Sequence, residues 1–145
     1  IWVSEYSRIY LEEFGPGYQY EDFCRIVEGQ LSREKYSEMN NPPVVFLDTS
    51  MLVLKIWGMR KWGKVPLIVD QLLEKKNYNL YLLCYPDLDW EPDPLRENPF
   101  DREKLFEEYE EVIKIHGLDY RIIKGHGDER ERNAIEEVRQ FLRKV

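Results

Sequence analysis

The run Val44-Val45-Phe46-Leu47, followed at once by Asp48-Thr49-Ser50, limits the fold more than any other stretch of the chain. Four apolar residues without alternation, two of them β-branched, suit a buried strand covered on both faces, as helices on either side of a parallel sheet provide. The run stops at a carboxylate, which puts Asp48 at the carboxyl end of the strand. In open α/β sheets ligands lie outside that end. Asp48 is then either a ligand-facing acid or, with Thr49, the cap of the helix that follows.

Helical and strand patterns alternate around this run. Trp2 and Val3 close a short strand, and residues 5–14 read as a helix with Tyr6, Ile9, Tyr10 and Phe14 on one face, stopped by Gly15-Pro16-Gly17. Residues 20–39 form the next helix, with Phe23, Cys24, Val27 and Leu31 at helical spacing. Gly29 is an interior weakness there, worth about 1 kcal/mol relative to Ala. Asn40-Asn41-Pro42-Pro43 ends it. Residues 51–57 turn helical again, and residues 57–64, with Trp57 and Trp62 beside several cations, break that helix. This second stretch is either an aromatic and basic wall for a flat ring or phosphate, or a solvated corner whose indoles pack on the core.

A helix over 65–76 follows, with Pro66 in its first turn, and then a buried strand over 80–85. Residues 86–101 are rich in Pro and acids and too long for an ordinary connection, which marks a lid or binding loop. The helix over 102–116 carries the clearest apolar stripe. Asp101 is its N-cap, Phe100 a staple onto Leu105, and His116 an edge-of-core residue before Gly117. Tyr120-Arg121-Ile122-Ile123 gives a further strand. A glycine turn over 125–130 then leads to a last helix with Ala134, Ile135, Val138, Phe141 and Leu142 as its buried face. The alternation is that of an α/β domain with a mainly parallel sheet.

Composition excludes several alternatives. At 145 residues the chain is one domain, able to bury roughly two thirds of its unfolded surface. Cys24 and Cys84 lie far apart without metal-ligand spacing, so a reducing, cytoplasmic setting is expected. No apolar run approaches the ~18 residues of a membrane span, and no signal-peptide series is present. A formal charge of −7 argues against a nucleic-acid or anionic-membrane surface while leaving room for a local phosphate pocket. The opening Ile1-Trp2-Val3 is already strand-like, so the chain is expected to begin inside an element.

A series of short stretches then points to a family: Glu5-Tyr6-Ser7-Arg8-Ile9-Tyr10, Gly15-Pro16-Gly17-Tyr18, Phe46-Leu47-Asp48-Thr49, Lys55-Ile56-Trp57, the string from Trp90 to Pro99, and Gly125-His126-Gly127-Asp128-Glu129-Arg130. In this order they resemble the P-loop ATPase and kinase domain at the C-terminus of the bifunctional NadR proteins, the ribosylnicotinamide kinase module. The resemblance implies a three-layer P-loop NTPase-like α/β fold, one domain over residues 1–145, with residues 86–101 as a lid. It also implies ATP and Mg²⁺ as cofactors, and transfer of the γ-phosphate to nicotinamide riboside or a related nucleoside. By the same resemblance Asp48 ends the Walker B strand, holding Mg²⁺ and orienting the substrate hydroxyl, while Arg96 and Arg102 are the lid cations. Glu5 and Arg8 face the nucleoside, with Trp57 and Lys64 in the same pocket. Gly125, Gly127 and Arg130 belong to the loop against adenine.

Two departures stand out. Asp48-Thr49-Ser50 occupies a place where the family commonly has a second Asp. There is also no Gly-x-x-x-x-Gly-Lys-Ser/Thr in the 145 residues, so the first strand and its phosphate loop are expected upstream of Ile1, the strand lying between those at 44 and 80. The alternatives are a nucleotide-binding regulatory or ATPase domain of the same fold without kinase activity, and a plain α/β module whose acidic loop contacts a protein.

Overall fold

The computed structural model describes residues 1–15, 17–75, 78–91 and 100–144, which fall into two units, Ile1–Lys75 and Lys76–Val145. In the first unit β1 (Trp2–Val3) and β2 (Phe46–Leu47) pair in parallel, Trp2 opposite Phe46 and Val3 opposite Leu47. Around them lie α1 (Tyr6–Phe14), α2 (Tyr20–Glu38), α3 (Met51–Trp62) and α4 (Leu67–Glu74). In the second unit β3 (Tyr81–Cys84) and β4 (Tyr120–Ile123) pair in parallel, with α5 (Arg102–Ile115) connecting them and α6 (Gly127–Leu142) after β4. Parallel strands joined through helices make this an α/β chain. Among the described residues no helix is long and apolar enough to cross a membrane.

The core of the first unit forms where α2 and α3 meet, with Phe23, Ile26, Val27, Met51 and Leu54 fully buried, together with Val69 and Leu73 of α4. A capping box starts α2: the Gln19 side chain accepts a hydrogen bond from the Asp22 N–H, and the Asp22 carboxylate accepts one from the Gln19 N–H. Tyr10 of α1 donates its hydroxyl to the same carboxylate at 2.7 Å, joining the two helices. Gly29 has a packing reason. A Cβ built there would lie 2.0 Å from a ring carbon of Tyr6, so the ring rests against bare helix backbone.

Several expectations need correction. Only Phe46 and Leu47 of the 44–47 run are strand, and they are not covered on both faces. Val3 is buried, while Trp2 and Phe46 are 67% and 46% exposed, the alternation of a pair covered on one face by α2. Residues 57–64 do not break a helix, since α3 runs on to Trp62 and ends at Gly63, whose φ of +67° suits glycine. Gly58 is instead a close-approach residue, its absent Cβ leaving room for Val65 and Phe23. Pro66 stands at the N-cap of α4, one position before the helix.

In the second unit the core is smaller, built on Tyr81, Leu83, Ile113, Leu118 and Ile123. Phe100 is fully exposed and does not staple onto Leu105. The apolar face expected for α6 is only partly covered: Ile135 and Leu142 are exposed, and Ala134, Val138 and Phe141 are half-buried. The helix packs on β4 of a two-stranded pair, which offers little width. Half of the expected lid, residues 92–99, lies outside the described residues.

Gly29→Ala tests the α1–α2 contact. Ala is intrinsically the better helix former by about 1 kcal/mol, but here its methyl must displace the Tyr6 ring. We expect a net loss of about 1–2 kcal/mol in urea unfolding. A gain would show that the ring does not rest there.

Candidate functional site

Because Val3 pairs with Leu47 in parallel, the chain leaves both strands at one edge, with Ser4-Glu5 on one side and Asp48-Thr49 on the other. The Asp48 N–H donates to Val3 O at 3.0 Å, which fixes where its side chain departs. Asp48 is exposed and Thr49 buried. Ser50, in extended backbone, is the N-cap of α3, so Asp48 stands two residues before the cap and is not the cap itself. Glu5 is the N-cap residue of α1 and accepts a hydrogen bond from Ser7 Oγ; Arg8, half-buried, lies in the first turn of that helix. Two carboxylates from distant parts of the sequence thus share the carboxyl edge of a parallel pair.

The edge is held by residues that sequence reading did not single out. Gln30 of α2 accepts from the Tyr6 N–H through Oε1 at 3.0 Å and donates from Nε2 to Thr49 O at 3.0 Å. One helical turn on, Arg33 donates to Ser4 Oγ at 2.7 Å and lies over the Tyr6 ring. The available signal was a polar interruption of the buried α2 stripe, in which Gln30 follows Phe23, Ile26 and Val27. A buried amide in such a place must find backbone partners.

Trp57 and Lys64 occupy an aromatic cluster between α2 and α3. The Trp57 indole donates to Tyr18 OH at 3.0 Å and meets the Phe23 ring edge-on at 5.3 Å, while Trp62 packs on Phe23 at 5.0 Å. Lys61 Nζ lies 3.7 Å from the Tyr18 ring centre and Lys64 Nζ 4.1 Å from that of Tyr20. This is the arrangement of indoles packed on the core, with the cations lying on rings of their own chain. Residues 58–65 also have the Gly-x-x-x-x-Gly-Lys spacing of a phosphate loop, with Val65 at the hydroxyl position. Residues 58–62 form the end of α3 and Gly63 its cap, with Lys64 and Val65 just beyond. A helix C-terminus presents carbonyls and the negative end of the dipole, the reverse of a phosphate cradle.

In the second unit Arg130 and Asp87 tie the end of β3 to the turn before α6. Arg130 donates to Asp87 Oδ1 at 2.6 Å, Gly125 O at 3.1 Å and Tyr85 O at 2.9 Å. The Gly125 N–H donates to Asp87 Oδ2 at 2.8 Å. Gly125 and Gly127 both have left-handed φ, +102° and +47°, which the tight turn requires. The Gly125 N–H and the Arg130 guanidinium hold the Asp87 carboxyl below its ordinary range. Asp87 was not among the expected residues; only its position just after an apolar strand marked it. Arg102, the first residue of α5, donates to Leu88 O at 2.6 Å and lies over the Trp90 ring. Arg96 lies outside the described residues.

Among the described residues no group of three or more His, Cys, Asp or Glu side chains is arranged to hold a metal ion. A family model described as AAA domain matches residues 1–130, a span that takes in all of the first unit and the second up to the first turn of α6. No curated protein matches the chain.

The Asp87 clamp has a definite pH dependence. A carboxyl whose folded-state value is lowered contributes stability that is complete above its ordinary value, near pH 4, and fades as pH falls through the lowered value. Asp87→Asn should therefore lower Tm at pH 7, with the difference from the parent shrinking in melts at about pH 3. An equal difference at both pH values would show that the charge does not hold the turn.

Proposed function

The chain belongs to the AAA domain family, a nucleotide-binding class, and on that premise we propose that it transfers the γ-phosphate of ATP to a nucleoside, with nicotinamide riboside as the acceptor. The observation that supports this most is the shared edge of β1 and β2, which carries Asp48 and Glu5 together. In a three-layer P-loop fold that edge is the ligand crevice. Phosphoryl transfer asks a protein chiefly for positioning and charge neutralisation, and the edge supplies exposed acid on a fixed backbone.

The donor set suits Mg²⁺. That ion takes oxygen ligands, keeps several waters, and is commonly held by one or two carboxylates plus the phosphates, so a three-residue cage is not needed. Asp48 would hold it, and the bound ion would neutralise charge on the phosphate oxygens. Asp48 also orients the acceptor hydroxyl, while Glu5 and Arg8 face the nucleoside. The turn at Gly125 and Gly127 faces adenine, with Arg130 holding its shape through Asp87. Arg102 and Arg96 are the lid cations, and Arg102 exchanges its bond to Leu88 O for phosphate. The reading requires a phosphate loop in addition to these residues.

A second reading, a nucleotide-binding ATPase or regulatory domain without a small-molecule acceptor, is favoured by one observation. Trp57 and Lys64, the ring-recognition candidates, are engaged by their own aromatic cluster.

The test is turnover by the protein at its full natural length with ATP, Mg²⁺ and a panel of nucleosides. Phosphorylated nucleoside is expected, and Asp48→Asn should lower kcat by about 100-fold or more while nucleoside affinity stays nearly unchanged. ADP formation without a phosphorylated nucleoside would select the second reading, and failure to bind ATP would exclude both.

A further inference from the structure

We infer that Gln30 is a positioning residue that sets the spacing of the two edge carboxylates, Glu5 and Asp48. The inference rests on the reading of that edge as the working site. Each of the paired strands is only two residues long, so the ladder supplies few bonds to fix what emerges from it. Gln30, 1% exposed, supplies the rest. Its Oε1 accepts from the Tyr6 N–H, the amide that follows Glu5. Its Nε2 donates to the carbonyl of Thr49, the residue that follows Asp48. Asp48 is thereby held between two fixed points, its own N–H on Val3 O and the next carbonyl on Gln30.

The amide is the right group for this place. One partner can only donate and the other only accept, so the orientation of the Gln30 amide is dictated by the network. A carboxylate would lose the donor and an ammonium the acceptor. The bond to Thr49 O is buried and the one from the Tyr6 N–H partly buried, so losing either leaves a backbone group poorly satisfied and the turn free to shift. A misplacement of about 1 Å in a reacting group is enough to cost ~100-fold in rate.

Three variants at full natural length test the role. Gln30→Leu removes both bonds and should lower kcat about 10- to 100-fold with little change in nucleoside KM. Val27→Ala, one turn earlier and fully buried on the same helix, serves as the destabilised control and should keep its kcat. Gln30→Glu retains the acceptor and regains the donor only when protonated. Burial raises a carboxyl's pKa, so its activity relative to the parent should recover as pH falls. The role is overturned if Gln30→Leu keeps kcat within about twofold, if Val27→Ala loses as much, or if Gln30→Glu shows no relative recovery in acid.

If the parent transfers phosphate to no nucleoside, the functional reading fails separately, and amide hydrogen exchange decides the role of Gln30. Exchange at Tyr6 and Asp48 accelerated about tenfold in Gln30→Leu, with Phe23 unchanged, sustains it. Unchanged exchange at Tyr6 and Asp48 overturns it.

Discussion

The close approach of α2 to its neighbours is the constraint on which the first unit depends. Two glycines permit it. Gly29 lets the Tyr6 ring lie on the backbone of α2, and Gly58 lets α3 close onto Phe23. Only at that separation can Gln30 span from the start of α1 to the turn after β2. Side-chain chemistry at the strand edge thus follows from the absence of side chains elsewhere, since a methyl at either glycine would push apart the elements that Gln30 joins.

The helices of this chain were readable because each has a period that few alternatives share. Tyr6 with Tyr10, Phe23 with Val27, and Leu105 with Val112 recur at helical spacing and fall in α1, α2 and α5. What misled was punctuation. The run over residues 57–64 was expected to break α3, yet the helix passes through Gly58, where packing against Phe23 and Val65 outweighs glycine's weak helix preference. Likewise the run at residues 44–47 looked buried on both sides, but one-faced coverage leaves Phe46 exposed.

The candidate site was legible only in part, for a related reason. Asp48 announced itself because an apolar strand ended on an acid, a pattern written in consecutive residues. Gln30 and Asp87 carry their meaning in partners far along the chain, Thr49 for one and Gly125 and Arg130 for the other. Each unit nevertheless uses the same device, a polar side chain that joins loops at the carboxyl ends of parallel strands. The first device is a neutral amide and the second an ion pair, so salt and acid act on the second unit's loops while leaving the first unit's bridge electrically indifferent.

The parallel pairing also governs the order in which the molecule can be built. Position 2 pairs with position 46, and position 81 with position 120, so neither pair can start as a hairpin. Within these residues β1 meets β2 only after α1 and α2 have emerged, and β3 meets β4 only after α5 has. Helices are therefore the early structure and sheets the late one, a sequence of events that favours slow, non-local closure.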